Sequence, residues 1–209
     1  MLFSFMDSKQ LLLQSLKQKK FSKEILEAFS EVERKDFIHE DLRKHAYEDI
    51  ALSIGKNQTI SQPYTISVML SLMELKKGEK VLEIGSGCGY VLALLSKIVG
   101  SKGKVFGVER IKELFELSKE NLKEYNNVKV YNRNGFFGLK EKSGFDKILI
   151  SAAIEKIPKS LIEQLKSKGT LVSPIGKKHE QSIISYKKIK NELKIKKRIP
   201  GFIFVPFVE

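Results

Sequence analysis

The sequence predicts an α/β fold in which a mostly parallel central sheet carries antiparallel C-terminal strands and an N-terminal helical part. From residue 80 to residue 173, short apolar stretches alternate with segments of helical period, which is typical of a parallel sheet with right-handed crossovers. After Gly176 the pattern is that of strands alone. A glycine-rich turn joins the first strand of the alternating part to a helix, so we expect a Rossmann-like arrangement.

The N-terminal part is expected to be helical. Apolar residues recur at helical spacing over residues 8–20 and 22–34, with Ser8 and Ser22 as predicted N-caps. Residues 35–60 mix polar and aromatic side chains without a clear period and are expected to be mostly loop.

The remaining elements are predicted from the periodicity of apolar residues and from the Pro and Gly residues at helix ends. A helix begins at Pro63, with Ser61 or Gln62 as N-cap, and ends at Lys77-Gly78. Strands are expected at 80–84, 104–108, 128–131, 146–151 and 170–173, and helices at 89–99, 112–125 and 158–167, the last one ending at Gly169. The C-terminal strands are expected at 181–189, 193–199 and 202–207, with Asn191-Glu192 as a turn.

The composition is that of a single compact unit. With 209 residues and 42% hydrophobic residues, we expect residues 1–60 to pack as an N-terminal segment on a cofactor-binding domain over 61–209. The sequence contains no run of 18 apolar residues, so no membrane-spanning helix is predicted. Cys88 is the only cysteine, so no internal disulfide forms and a reducing cytoplasm is expected.

The glycine-rich turn predicts the cofactor. Glu83 precedes the glycines Gly85, Gly87 and Gly89, and Tyr90 stands where a dinucleotide fingerprint needs another glycine. A carboxylate at this place would repel a pyrophosphate but suits a cationic amine, which S-adenosylmethionine has. The alternative is a turn whose glycines serve packing alone.

Two further loops are expected at the same edge of the sheet. Glu109 ends the next strand, where a carboxylate binds both hydroxyls of a ribose. Asn134-Gly135 follows the third strand, and Asn134 can accept a hydrogen bond from an adenine amino group, although an ordinary turn is the alternative.

A polar segment lies ahead of the cofactor loop. Residues Gly55–Tyr64 lead into a predicted helix N-terminus, where free N–H groups attract an anion such as a substrate carboxylate. The alternative is that Thr59 and Ser61 only cap the helix.

The sequence resembles the protein-L-isoaspartate (D-aspartate) O-methyltransferase family from about residue 8 to the C-terminus. The stretches that carry the resemblance are Ala46–Gly55, Gln58–Tyr64, Val81–Tyr90, Val108–Arg110, Phe145–Ala153, Ile157-Pro158, Gln164-Leu165 and Phe204–Pro206. The glycine motif is shared by many class I methyltransferases, whereas the Gln58–Tyr64 segment is much more specific.

The resemblance implies roles for individual residues. Ser61 matches the active-site serine, with Thr59 beside it, and Gln62 and Val205 are implied in substrate binding. The implied cofactor residues are Glu83, Gly85, Ser86, Gly87, Gly89, Tyr90, Glu109, Asn134 and Gly135. Asn134 departs from the family pattern, which has an aspartate there.

The implied reaction is methylation of the free carboxylate of L-isoaspartyl residues in damaged peptides and proteins. The ester closes to a succinimide, which can reopen to normal aspartate. A carboxylate is already ionised at neutral pH, so no general base is required. We expect a monomer, and the sequence predicts no metal site and no membrane partner.

Two other functions are left open. The net charge of +13, with nine Lys and Arg residues between 177 and 198, would suit an RNA methyltransferase, although a solvated lysine-rich hairpin explains it as well. The chain lacks an Asn-Pro-Pro-Tyr type motif for methylating base amino groups. Because Asn134 departs from the family pattern, a cofactor-binding module that has lost catalytic turnover is also left open.

Overall fold

A computed structural model describes residues 7–177 and 180–208, so Lys178 of the basic stretch lies outside the described residues. The α-helices are α1 (Ser8–Gln18), α2 (Lys23–Glu31), α3 (Pro63–Met73), α4 (Tyr90–Val99), α5 (Lys112–Asn121) and α6 (Lys159–Gln164). The strands are β1 (Leu52–Gly55), β2 (Gln58–Ile60), β3 (Lys80–Ile84), β4 (Lys104–Glu109), β5 (Val128–Asn132), β6 (Phe145–Ile150), β7 (Leu165–Lys177), β8 (Glu180–Ile189) and β9 (Glu192–Phe202).

The central sheet has the strand order β5-β4-β3-β6-β7-β8-β9. The first five of these strands pair in parallel, and β8 and β9 add to β7 in antiparallel fashion. The predicted mixture of a parallel sheet and antiparallel C-terminal strands is confirmed. The chain leaves β3 toward β5 and returns to the other side of β3 as β6. This reversal creates a crevice at the carboxyl ends of β3, β4 and β6.

The middle of the sheet is buried on both faces because successive side chains of a strand point to opposite faces. Val81 and Leu82 of β3 are both fully buried, and they belong to two separate apolar clusters. The Val81 cluster also holds Leu16 of α1 and Phe29 of α2. The N-terminal helices therefore bury their apolar stripes on the same side of the sheet as α4.

The helix ends differ from those predicted. The N-cap of α1 is Asp7 and not Ser8, because Asp7 and Gln10 form a reciprocal capping box. Ser22 is the N-cap of α2 in backbone geometry, as predicted. Helix α3 ends at Met73, well before Lys77-Gly78, because Glu74 adopts a left-handed conformation with φ of 50°.

The region expected to be loop contains a β-hairpin. Strands β1 and β2 pair antiparallel, and Lys56 and Asn57 between them have φ of 54° and 56°. Such a turn demands two left-handed residues, and asparagine adopts this conformation more readily than most. The strands are too short for a period of two to be visible in the sequence.

Three boundaries in the C-terminal part also differ from those predicted. Helix α6 ends at Gln164, and Gly169 lies within β7 rather than at a helix end. The turn between β8 and β9 is Lys190-Asn191. The strand expected at 202–207 does not form; β9 continues to Phe202. Beyond it, a bridge joins Pro206 to Ala153. Among the described helices, none is long and apolar enough to cross a membrane.

Candidate active site

One cleft of about 1050 Å³, a volume that includes the solvent at its mouth, opens at the carboxyl ends of β3, β4 and β6. Ten of the predicted site residues line it: Thr59, Ser61, Glu83, Gly85, Ser86, Gly87, Tyr90, Glu109, Gly135 and Val205. Residues from three distant parts of the chain therefore meet, as the sequence predicts.

The glycine-rich turn between β3 and α4 lets the backbone form the floor of the cleft. Gly85 and Gly87 have φ of 79° and 52°, a region that other residues rarely adopt. A Cβ atom at Gly85 would meet no heavy atom within 4 Å. It would instead project into open space, so the missing side chain leaves room for a ligand close to the backbone.

Glu83 is a buried carboxylate with only half of its hydrogen-bonding capacity used. Ser151 donates from Oγ to Oε1 of Glu83 at 2.7 Å, whereas Oε2 has no partner within residues 7–177 and 180–208. Burial, with a smaller contribution from the nearby Glu109, raises the pKa of Glu83 to about 8. A cation in the cleft would supply the missing partner.

Glu109 is held in place by the backbone of the cleft. Its Oε2 accepts from the N–H of Gly87 at 2.8 Å, and its Oε1 accepts from the N–H of Ile111 at 2.9 Å. Each carboxylate oxygen can accept a second hydrogen bond. The carboxylate is thus oriented before any ligand arrives, with acceptor capacity left for two hydroxyls.

The β1–β2 hairpin forms one wall of the cleft. Ile54 of β1 lies so close to the glycine loop that a Cβ at Gly87 would come within 3.0 Å of its Cδ1 atom. At the hairpin tip, Lys56 forms a 2.5 Å ion pair with Glu113 of α5. Ser61 follows β2 directly, and its position depends on how this hairpin is held.

The N-terminus of α3 already has an anion bound to it. Asp49 accepts from the backbone N–H of Tyr64 through Oδ1 at 2.7 Å. Pro63 before it has no N–H, so the first turn offers fewer free donors than the sequence suggests. The predicted helix-terminal anion site is thus partly occupied by a side chain of the chain itself.

The C-terminal segment closes the cleft from the side of β6. Ala153 donates from its N–H to the carbonyl oxygen of Val205, and Phe207 donates to the carbonyl oxygen of Ala153, both at 2.8 Å. The pairing explains how Val205 reaches a cleft built from residues far earlier in the chain.

Three predicted site residues do not line the cleft. Gln62 is the backbone N-cap of α3. Gly89 faces α5, and a Cβ there would come within 2.7 Å of Leu122. Asn134 accepts through Oδ1 from the N–H of Phe136 at 2.8 Å and so caps the short 3-10 turn at Gly135–Phe137. The local turn weighed as the alternative is therefore present, and the contact of Asn134 with adenine stays a prediction.

Other residues of the cleft have no role assigned from the sequence, although several lie in the stretches that carry the family resemblance. They include Ile54, Gln58, Ile60, Met69, Arg110, Ile111, Pro206, Phe207 and Val208. Most are apolar, and apolar residues in loops carry no distinctive signal of a site in a single sequence. Cys88 also lines the cleft, but burial raises the pKa of its thiol to about 11, so it is a packing residue rather than a nucleophile.

The basic C-terminal stretch is partly neutralised by the chain itself. Lys194 pairs with Glu192 and Lys196 pairs with Glu74. Lys188 is buried and donates to the carbonyl oxygens of Ile162 and Leu165. These contacts favour a structural hairpin over a nucleic-acid surface.

A model of the protein-L-isoaspartate(D-aspartate) O-methyltransferase family matches residues 7–209, which is nearly the whole chain. The chain belongs to this family. It is 39% identical over 202 residues to a protein-L-isoaspartate O-methyltransferase of Methanothrix thermoacetophila, covering 96% of this chain and 94% of that protein. It is 42% identical over 191 residues to the protein of that name in Ignicoccus hospitalis, covering 90% of each chain.

A solved structure supports the same family. It is described as a putative protein-L-isoaspartate O-methyltransferase of Plasmodium falciparum in complex with S-adenosyl-L-homocysteine, and it superposes with a TM-score of 0.84. The identity is 26%, and the match covers 98% of this chain and 99% of the other. The predicted family, fold and enzyme class are confirmed, and the RNA methyltransferase and the inactive binding module are not favoured.

Proposed function

We propose that this chain transfers a methyl group from S-adenosylmethionine to the free carboxylate of L-isoaspartyl residues in damaged peptides and proteins, and so starts their repair through a succinimide. The observation that carries the proposal is the shared cleft, in which the family-specific segment around Ser61 lies against the cofactor loop and the C-terminal Val205. Family membership supports the same reaction.

The cleft fits the proposed cofactor at three points. The Oε2 atom of Glu83, which has no partner among the described residues, suits the methionyl amine, which is a cation with hydrogen atoms to donate. The pre-oriented carboxylate of Glu109 suits the two ribose hydroxyls. The open space beside Gly85 leaves room for the cofactor to lie close to the protein backbone.

The buried hydroxyl of Ser86 also has no partner in the described part of the chain. It is a further polar group that a ligand in the cleft could satisfy.

The residues of the cleft orient the substrate rather than activate it. When bound, the cofactor supplies a methyl group on a sulfonium, and the isoaspartyl carboxylate is already an ionised nucleophile. Ser61, with Thr59 beside it, donates to the carboxylate and holds one oxygen in line with the methyl group. Such alignment is worth roughly 7–11 kcal/mol when the geometry is right. The positive sulfonium and the negative carboxylate lose their charges during methyl transfer, so a partly enclosed cleft favours the reaction.

The test is methyl transfer from labelled S-adenosylmethionine to an L-isoaspartyl peptide. The matched control is the same peptide with a normal aspartyl residue, and a structured RNA is the second control. We expect label in the isoaspartyl peptide alone. Equal labelling of both peptides, or labelling of RNA alone, would contradict the proposal.

We also propose a monomer that works in a reducing cytoplasm. A single copy of the chain already brings Ser61, Glu83 and Glu109 to one cleft, which supports a monomer. Cys88, the only cysteine, is buried and can form no disulfide within the chain, which is usual for proteins of a reducing compartment. Light scattering after gel filtration tests the oligomeric state, and fractionation of cells tests the compartment.

A further inference from the structure

Arg34 is a fully buried arginine without a carboxylate partner. Its side chain is 0% exposed, and no Asp or Glu oxygen of the described residues lies within ion-pair distance of it. A buried charge is costly unless it is well hydrogen-bonded, so the arrangement around this guanidinium calls for an explanation. Arg34 begins the 3-10 turn that follows α2 and does not itself line the cleft.

Four backbone carbonyl groups surround the guanidinium in place of a carboxylate. Nη1 donates to the carbonyl oxygens of Ala46 and Glu48, each at 3.3 Å. Nη2 donates to those of Ile50 and Ser61, each at 3.1 Å. The planar fork of an arginine has the donors for this arrangement, whereas a lysine has three donors on a single nitrogen.

These bonds connect the segments that frame the active site. Residues 46–50 precede the β1–β2 hairpin and Ser61 follows it, so Arg34 holds the hairpin at both of its ends. Asp49, within the first of these segments, caps the N–H of Tyr64 in α3. The backbone of Ser61 is thus fixed by Arg34 at its carbonyl and by Asp49 three residues later.

The same guanidinium also lies beside the cofactor loop. Its Cζ atom is 6.0 Å from the ring centroid of Tyr90, the first residue of α4 after the glycine-rich turn. Tyr90 is itself buried and packs edge-on against Phe37. One side chain therefore contacts both the segment that carries Ser61 and the helix that follows the cofactor loop.

We propose that Arg34 is a positioning residue for methyl transfer, which sets the backbone of Ser61 relative to the cofactor loop by binding the carbonyl groups at both ends of the hairpin. It touches neither substrate nor cofactor. The proposal rests on the proposed role of Ser61. A shift of a positioning group by about 1 Å is enough to lower the rate. A Ser61 that is held less firmly should therefore lower turnover more than it weakens cofactor binding.

The test compares Arg34→Lys with Arg43→Lys, the same exchange at an arginine that is not buried. We expect Arg34→Lys to lower kcat for an isoaspartyl peptide by about 10- to 100-fold. The Kd of S-adenosylhomocysteine should change by less than about 3-fold, and hydrogen exchange should accelerate at residues 46–50 and 58–62 but not in β3 or β6. Arg43→Lys should match the unsubstituted chain in every respect.

Several results would overturn the proposal. One is a kcat for Arg34→Lys equal to that of Arg43→Lys. Another is a loss of cofactor affinity and of global stability in proportion to the loss of kcat, which makes Arg34 a core residue of the whole fold. Arg34→Gln, which removes the buried charge and keeps a donor amide, is the second variant. Failure of both variants to fold would likewise make Arg34 a core residue and overturn the positioning role.

The exchange data separate this proposal from the proposed function. If the unsubstituted chain methylates no isoaspartyl peptide, the proposed function fails. Faster exchange confined to residues 46–50 and 58–62 in Arg34→Lys would still show that Arg34 holds the hairpin. Unchanged hydrogen exchange at residues 46–50 and 58–62 would overturn the proposal that Arg34 holds the hairpin, whatever the activity.

Discussion

Ser151 and Glu83 form a hydrogen-bonded pair at the ends of two neighbouring strands, β6 and β3, with 2.7 Å between the serine Oγ and the glutamate Oε1. The serine satisfies one oxygen and, in the described structure, the other remains without a partner. Burial thus opposes ionisation of Glu83 until a cation arrives. A cation bound beside Oε2 would offset the cost of ionising this buried group.

The first prediction concerns the pH dependence of stability. The pKa of Glu83 is raised to about 8 in the folded chain, from 4.5 as its ordinary value. The folded state then retains a proton that the unfolded state has lost between these pH values, so stability falls as pH rises from about 4.5 to 8. Glu83→Gln keeps a neutral hydrogen-bonding group there and should abolish this loss.

Thermal or urea unfolding between pH 5 and pH 9 measures the effect. The free energy of unfolding of Glu83→Gln should exceed that of the unsubstituted chain increasingly up to pH 8, by several kcal/mol at most. A difference independent of pH would mean that Glu83 is ionised in the folded chain throughout.

The second prediction is that the same substitution weakens cofactor binding. A carboxylate accepts more strongly from an ammonium group than an amide does, so Glu83→Gln should raise the Kd of S-adenosylhomocysteine by about 10-fold or more. Isothermal calorimetry in buffers of different ionisation enthalpy should also show that the unsubstituted chain releases a proton on binding near pH 7. Glu83→Gln should lack that contribution. Equal affinities would place the methionyl amine elsewhere.

The third prediction concerns Glu109. Glu109→Ala removes the proposed acceptor for the ribose hydroxyls and also frees the N–H groups of Gly87 and Ile111. Cofactor binding should weaken by about 2–4 kcal/mol, measured by calorimetry. Glu116→Ala, on the exposed face of α5, is the control and should bind normally. Unchanged affinity in Glu109→Ala would show that the ribose is held by other groups.

The parallel sheet and the cofactor loop could be predicted because their signals are local. The apolar strand before Gly85 and the carboxylate of Glu109 at the end of the next strand lie within a short stretch of chain, and the period of the pattern fixes the architecture. The hairpin could not be predicted because its strands are short. The end of α3 was misplaced because Glu74, without the usual glycine, adopts a left-handed conformation.

The site could be predicted only where a motif marks it. Arg34 binds the backbone carbonyl of Ser61, and Asp49 binds the backbone N–H of Tyr64. Because these contacts join residues far apart in the chain through backbone groups, no motif in a single sequence indicates them. Strand order places Ser151 near the crevice, but its bond to Glu83 could be found only from coordinates. Asn134 shows a different limit, since its cap on Phe136 is visible only in the structure and its contact with adenine stays a prediction.

The fourth prediction separates these interpretations of Asn134. If its side chain serves only as the cap on Phe136, Asn134→Ala should lower the free energy of unfolding by about 1 kcal/mol, and Asn134→Asp should preserve it. Neither change should alter cofactor affinity by more than about 3-fold. An aspartate that tightens binding by about 10-fold would restore the contact with adenine.

The last prediction concerns Ser61, whose hydroxyl is proposed to orient the substrate carboxylate. Ser61→Ala should lower kcat by about 10- to 100-fold, equivalent to roughly 1–3 kcal/mol for one orienting hydrogen bond. The Kd of the cofactor should stay the same, because the carbonyl of Ser61, which Arg34 binds, is retained in alanine. Ser71→Ala, an exposed serine of α3, is the matched control and should keep full activity. Cofactor affinity that falls as far as turnover would instead show that the hydroxyl of Ser61 holds the loop and does not act on the substrate.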